Sequence, residues 1–121
     1  MPYDLLLKNA IVIDPSQNIN GNFDVAIQDG KVAALSDTIT EPTKETIDLS
    51  GKVLTPGWID IHAHVFAGAT TWGIHADALC LATGVTTVVD AGSPGWANFL
   101  AFHDHIAAPA RTQILTFVHI S

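Results

Sequence analysis

The first half of the chain alternates short apolar runs with turn residues. The runs YDLLLK and AIVID are typical of strands and are broken at Asn9. The runs FDVAIQ and KVAAL flank Asp29-Gly30, a pair that readily adopts the positive φ angles of a type I′ turn, so a β-hairpin is predicted there. The runs ETIDL and KVLTPG flank Ser50-Gly51 and predict a second pair of strands. Residues 1–54 are therefore predicted to form a small β-sheet unit.

The second half alternates strand and helix patterns. The segments WIDIHAHV, VTTVVDAG and QILTFVHI are predicted to be strands. Between them, IHADALCLATG and GWANFLAFHDHIAA are predicted to be helices that end at Gly84 and Pro109. This order is typical of βαβ units with a parallel sheet. The composition also shifts near Thr55-Pro56-Gly57, which predicts a domain boundary between 1–54 and 55–121.

Composition narrows the class of protein. Apolar residues make up 48% of the 121 residues and charged residues only 14%, so the chain is globular rather than disordered. The net charge of −7, with no cluster of Lys or Arg, argues against a nucleic-acid partner. We expect no membrane partner and a cytoplasmic location, because no signal-peptide pattern or membrane-length apolar run is present. Cys80 is the only cysteine, which excludes an internal disulfide and an all-cysteine zinc site.

Two histidines stand out in the segment TPGWIDIHAHVFAG. Side chains alternate along a strand, so Asp60, His62 and His64 share one face with Trp58. The other face carries the apolar residues Ile59, Ile61, Ala63 and Val65. Two imidazoles on one strand face can bind a single metal ion through bonds of about 2.0–2.1 Å to zinc. On spacing alone, hydrogen-bonded core histidines are an equally good interpretation.

The remaining histidines are weaker candidates. His103 and His105 repeat the spacing inside a predicted helix, where two residues advance about 200° around the axis, so they are expected to be surface or helix-end residues. His75 and His119 fall where the C-terminal mouth of the sheet is expected, but their spacing makes neither a ligand. Catalytic zinc usually takes three protein ligands and structural zinc four, so His62 and His64 need others.

The motifs resemble those of one known family. GKVLTPGWIDIHAHV strongly resembles the start of the barrel in the amidohydrolase superfamily, where a turn, Pro-Gly, a bulky apolar residue and Ile-Asp precede His-x-His. DLLLKNAIVIDPSQNINGNFDVAIQDGKVAAL resembles the small β-sandwich of that superfamily. LATGVTTVVDAGSPGWANFLAF is similar to the branch of metallo-dependent deacetylases, dihydroorotases and D-aminoacylases. The resemblance covers essentially the whole chain.

The resemblance implies an α/β fold, a (β/α)₈ TIM barrel with a β-sandwich built from both chain ends. Residues 1–54 would be the N-terminal part of the sandwich, and residues 55–121 the first three barrel strands. His62 and His64 would be ligands of the more buried metal of a one- or two-metal site, with Zn²⁺ expected. A barrel needs about 250 residues. We therefore expect the chain to be the N-terminal part of a longer enzyme, inactive alone, with the other ligands and the catalytic base on later strands.

The resemblance also implies a function. The full-length protein is expected to hydrolyse an amide-type C–N bond of a small-molecule substrate, as a homo-oligomer, by lowering the pKa of a metal-bound water to about 7. One alternative is a cyclic amidohydrolase of the dihydroorotase or hydantoinase type. A basic clamping residue in the mouth loops would favour an acidic ring substrate. The segment VVDAGS carries an acid instead, which counts mildly against dihydroorotate as the substrate. A catalytically inactive amidohydrolase-like scaffold and a small metal-binding module are further alternatives.

Four residues are candidates for the substrate mouth or for orienting a ligand. Asp60 could orient a ligand histidine or bond to the backbone. Asp90 ends the second predicted strand, at the expected barrel mouth, and could equally be a turn or cap residue. Ser93 follows Asp90 in the chain, and His119 ends the third predicted strand. Proteins of the resembled family often carry Asn at the position of His119 and Asp at the position of His75.

Large apolar side chains and the cysteine are expected to be structural. Cys80 lies between Leu79 and Leu81 in the first predicted helix and is interpreted as inert core. The three tryptophans, Trp58, Trp72 and Trp96, are predicted to pack rather than to take part in recognition.

Overall fold

The protein has a mixed α/β fold in which sheets dominate. The computed structural model describes residues 2–120, which divide into two compact units between Pro56 and Gly57. Within these residues, none of the helices has the length and apolar character needed to cross a membrane.

The first unit is a mainly antiparallel sheet. Its strands are β1 (Tyr3–Asp14), β2 (Ile19–Gln28), β3 (Lys31–Ser36), β4 (Thr43–Asp48) and β5 (Val53–Leu54). The order is β3-β2-β1-β4, and β5 also pairs with β1. The predicted hairpin is confirmed, since Gln28 pairs with Lys31 and the intervening Asp29 and Gly30 have φ angles of 52° and 72°.

The predicted break at Asn9 is wrong, because β1 continues through it as a bulge. Asn9 has a φ of 60°, and the register with β2 shifts between Leu7 and Ala10. The carboxylate of Asp24, which is 2% exposed, accepts the N–H groups of Asn9 at 2.9 Å and Ile39 at 3.0 Å. The N–H of the bulged residue has no carbonyl partner on the neighbouring strand, and the buried carboxylate accepts it instead. The strand therefore continues through the bulge.

The second predicted pair of strands is also wrong. β4 and β5 do not fold back on one another around Ser50-Gly51. Both run parallel to β1, with Tyr3 opposite Thr43 in β4 and Ile11 opposite Val53 in β5. The Asp48 carboxylate accepts the N–H of Ser50 at 3.0 Å and its hydroxyl at 2.6 Å, which stabilises the turn between them. The two strands therefore extend the same edge of β1.

The second unit is a parallel sheet with short helices. Its strands are β6 (Trp58–Ala63), β7 (Val85–Asp90) and β8 (Gln113–Thr116), in that order and all parallel, as predicted. The helices are α1 (Ala76–Leu79) and α2 (Phe99–Phe102). The core consists of the buried residues Val65, Phe66, Ala76, Cys80, Val88 and Phe102.

Both helices are shorter than predicted. α1 tightens into a 3₁₀ turn, Leu81–Thr83, and ends as predicted at Gly84, whose φ of 80° suits glycine. α2 begins only at Phe99, because Gly95 donates to Oδ1 of Asn98 at 2.7 Å and the residues before Phe99 form a turn. After Phe102 the chain widens into a π-helical turn, His103–Ala107.

Asp77 connects the start of α1 to the segment before β8. Its carboxylate accepts the N–H of Arg111 at 3.0 Å and the N–H of Thr112 at 2.8 Å. These hydrogen bonds, that of Arg111 first, hold the pKa of the Asp77 carboxyl below its ordinary value of 3.8. A carboxyl whose pKa is lowered by folding stabilises the fold above its unfolded pKa, and this contribution is lost as the pH falls through the folded pKa.

We therefore expect Asp77→Asn to flatten the acid limb of the stability profile. Thermal unfolding followed from about pH 6 down to about pH 3 should show a smaller fall in Tm for the variant than for the parent chain. Asp104→Asn is the matched control, because Asp104 is an exposed acid whose hydrogen bond goes to the neighbouring His103 ring. Parallel pH profiles for the parent and Asp77→Asn would contradict the expectation.

Candidate metal site

His62 and His64 lie together at the C-terminal end of β6. Their ring centroids are 5.7 Å apart and the ring planes meet at 79°. β6 ends at Ala63, so the prediction that His64 belongs to the strand is wrong by one residue. The two imidazole rings are nevertheless neighbours, as two ligands of a single ion have to be.

A bulge, rather than simple alternation, sets the direction of His62. Asp60 pairs with Val88 and Ala63 with Asp90, so two residues of β6 lie opposite one residue of β7. The Asp60 carboxylate accepts the N–H of His62 at 2.9 Å. Asp60 thus bonds to the backbone, as one of its two interpretations held, and it does so at a candidate ligand.

The predicted common apolar face of β6 is wrong for the same reason. Ala63 and Val65 pack into the core, whereas Ile59 and Ile61 are 63% and 76% exposed. A bulge shifts the side chains before it relative to those after it. The first half of the strand therefore presents its isoleucines to solvent.

Asp90 organises the turn that follows β7. Its side chain is completely buried. One oxygen accepts the N–H of Val65 at 2.7 Å, and the other accepts those of Gly92 at 3.0 Å and Ser93 at 2.6 Å. Asp90 is thus the turn residue of its second interpretation, and it also fixes the chain just after His64.

Ser93 connects this turn to His64. The Ser93 hydroxyl oxygen lies 2.9 Å from Nδ1 of the His64 ring. With Nδ1 engaged, Nε2 is the nitrogen of His64 that remains for a metal ion. The sequence marked Ser93 as a residue of the substrate mouth or one that orients a ligand, but it could not name His64 as the partner, because a contact across 29 positions leaves no local pattern.

Trp72 borders the histidine pair. Its ring centroid is 5.9 Å from that of His64. The loop that carries it is closed at its base, where Ile74 donates its N–H to the carbonyl of His64 at 2.9 Å. The prediction that the three tryptophans pack is wrong, since Trp58, Trp72 and Trp96 are 63%, 67% and 71% exposed. An indole that is exposed and beside a candidate ligand is suited to substrate contact.

The other histidines belong to different segments of the second unit. His103 contacts the carboxylate of Asp104 at 2.8 Å, and both His103 and His105 are exposed. His75 precedes α1 and lines a cavity of about 180 Å³ with His105. β8 ends before His119, whose backbone bonds to Trp96 and Pro94. Across residues 2–120, no three His, Cys, Asp or Glu side chains are grouped so as to hold a metal ion.

Cys80 behaves as the inert core residue that was predicted. It is 5% exposed, and burial raises the pKa of its thiol, with the charges of Asp60 and Asp77 acting in the same direction. A raised pKa disfavours the thiolate, which is the form that binds metals and acts as a nucleophile.

The ring nitrogens of His62 and His64 suit a divalent transition metal, but they make up only part of a metal site. Neutral imidazoles are good ligands for zinc, and Ser93 leaves Nε2 of His64 available. Two protein ligands are fewer than the three that catalytic zinc usually has. The residues present therefore fit one side of a metal site.

The chain is similar to several known proteins over most of its length. No family model matches the chain. A deacetylase from Enterococcus faecalis is 40% identical over 123 aligned residues, which cover the whole of this chain and 31% of the relative. The crystal structure of a dihydroorotase matches with a TM-score of 0.75 and 32% identity, over 94% of this chain and 30% of that one.

A third likeness concerns a metalloenzyme. N-acyl-D-glutamate deacylase from Bordetella bronchiseptica, solved with zinc and a phosphonate inhibitor, matches with a TM-score of 0.61 and 26% identity, over 76% of this chain and 19% of that one. The chain is thus homologous to deacetylases and dihydroorotases, and it shares their fold over the matched part. These relatives are members of the amidohydrolase superfamily, and the chain matches the N-terminal part of proteins about three times its length.

Proposed function

We propose that the protein is a metal-dependent amidohydrolase that cleaves an amide-type C–N bond of a small molecule. The observation that carries this proposal is the His62–His64 pair at the C-terminal end of β6, with Ser93 on Nδ1 of His64. That edge of a parallel sheet is where α/β enzymes bind their ligands. The likeness to a deacetylase and to a zinc-bound deacylase supports the reaction class and the metal.

The residues of this chain have separate tasks in the proposed site. A divalent ion, Zn²⁺ foremost and one or two in number, would supply an activated water and polarise the substrate carbonyl. His62 and His64 would hold that ion from one side. Asp60 fixes the backbone of His62, and Trp72 offers an apolar ring to the substrate. His119 remains a candidate for the mouth, because it follows β8 at the same edge of the sheet.

We also propose that residues 55–121 supply the first three strands of a (β/α)₈ barrel, and residues 1–54 part of its β-sandwich. The parallel order β6-β7-β8 agrees with this. Trp58, Ile59 and Ile61 are all at least 63% exposed on the outer strand β6, where a closed barrel would cover apolar side chains. In that architecture the remaining ligands and the base come from later strands. Homo-oligomerisation and a cytoplasmic location stay expectations.

A cyclic amide is the second candidate substrate. The likeness to a dihydroorotase structure favours it. The acid of VVDAGS no longer counts against it, because the Asp90 carboxylate is buried and taken up by three backbone N–H groups. Other residues must therefore determine whether the substrate mouth is positively or negatively charged.

The test is metal removal from the protein expressed from its complete reading frame. Dialysis against a chelator should abolish hydrolysis, and Zn²⁺ should restore it, on either linear N-acyl amides or cyclic amides such as dihydroorotate and hydantoin. Binding is followed separately by Co²⁺ quenching of tryptophan fluorescence, with the Trp72 contribution taken as the difference between the parent and a Trp72→Phe variant, since Trp72 lies beside His64. Quenching without hydrolysis of any amide would contradict the enzymatic proposal, and absence of quenching would contradict the metal site.

A further inference from the structure

The turn after β7 differs from two similar turns in the same chain. Asp14 and Asp48 each accept both the N–H and the hydroxyl of the serine two positions later, Ser16 and Ser50, with hydroxyl distances of 2.6 Å in both. In those turns the serine hydroxyl serves the turn itself.

After Asp90 the same position is taken by glycine. Gly92 donates its N–H to Asp90 at 3.0 Å, with a φ of 96° that favours glycine. The serine comes one residue later, and Asp90 accepts only its N–H, at 2.6 Å. The Ser93 hydroxyl is thereby released from the turn and lies 2.9 Å from Nδ1 of His64.

We propose that Ser93 is a positioning residue that selects the tautomer of His64 for metal binding, and that the Asp90 turn exists to place its hydroxyl. This inference rests on the proposed function. A histidine that binds a metal through Nε2 carries its proton on Nδ1, and a hydrogen-bond acceptor at Nδ1 fixes that tautomer and the plane of the ring. In this tautomer Nδ1–H donates to the Ser93 oxygen.

The ring of His64 needs such a partner. The rings of His62 and Trp72 lie beside it, with their centroids 5.7 Å and 5.9 Å from its own. Neither contact distinguishes Nδ1 from Nε2. Among the contacts described for residues 2–120, the Ser93 oxygen is the group placed against a single ring nitrogen, so it can choose between the two tautomers.

The test compares Ser93→Ala with Ser93→Thr in the protein expressed from its complete reading frame. The alanine removes the hydroxyl, and the threonine keeps it. Ser50→Ala is the matched control, because it also removes a serine hydroxyl from an aspartate turn but touches no histidine. Ring ¹⁵N shifts of the metal-free protein report the tautomer of His64, and competition with a chelator reports the affinity for Zn²⁺ alone.

In the parent and in Ser93→Thr we expect the tautomer protonated at Nδ1. In Ser93→Ala we expect a mixture of tautomers and a zinc affinity about 10- to 100-fold lower, the usual effect of removing a group that orients a ligand. Ser50→Ala should match the parent in both measurements. An unchanged His64 tautomer in folded Ser93→Ala would overturn the inference. The metal-free spectra decide it even if the parent binds no zinc, a result that would overturn the proposed function instead.

Discussion

Replacing His62 or His64 with alanine is expected to abolish zinc retention and amide hydrolysis together. Both rings would bind the ion directly, so the loss should exceed the 10- to 100-fold that is typical when only a ligand's supporting partner is removed. Metal content of the purified variants and turnover of the same preparations, measured in the protein from its complete reading frame, check this result.

The chain provides its own control for that experiment. His103 and His105 have the same spacing but lie on the π-helical turn, where both are exposed. His103→Ala and His105→Ala should keep their zinc and their activity. Equal losses in all four variants would show that zinc content reflects general folding and would refute the assignment of His62 and His64.

Replacing Asp90 with alanine is expected to cost about 3 kcal/mol or more of unfolding free energy. The carboxylate is completely buried and accepts three backbone N–H groups. A buried donor that loses its partner costs about 1–3 kcal/mol. Denaturant unfolding of parent and variant, with the midpoint and slope both fitted, measures the difference.

Asp104→Ala serves as the reference for the Asp90 variant. Asp104 is exposed, and its carboxylate is hydrogen-bonded to the exposed ring of the neighbouring His103. Its loss should change stability by less than about 0.5 kcal/mol, as is usual for surface positions. A cost below about 1 kcal/mol for Asp90→Ala would mean that water or a rearranged backbone replaces the carboxylate.

The parts of the fold that the sequence predicted correctly depend on near neighbours. The Asp29-Gly30 hairpin and the stop at Gly84 follow from the φ angles that these residues adopt. The parallel sheet of the second unit follows from strands that alternate with helix patterns. Each of these signals lies within a few residues of the feature that it predicts.

The parts that could not be predicted depend on distant partners. The bulge at Asn9 is held by Asp24, fifteen residues away, and the pairing of β4 and β5 depends on β1 rather than on the turn between them. In the candidate site, the sequence alone identified the histidine pair, His62 and His64. The bond from Ser93 to His64 and the position of Trp72 were not, because both arise only after the chain has folded.

The loop between His64 and Ile74 is closed at its neck by a main-chain bond from Ile74 to the carbonyl of His64. Compact loops with such closed ends tolerate changes at their tips, and they often carry function. A longer or differently composed tip, around the exposed residues Ala69 and Thr71, could therefore be accommodated without displacing the His64 backbone. In a hydrolase of the kind proposed above, we expect substrate range to diversify in this segment, and a directed-evolution library for a new substrate would start there.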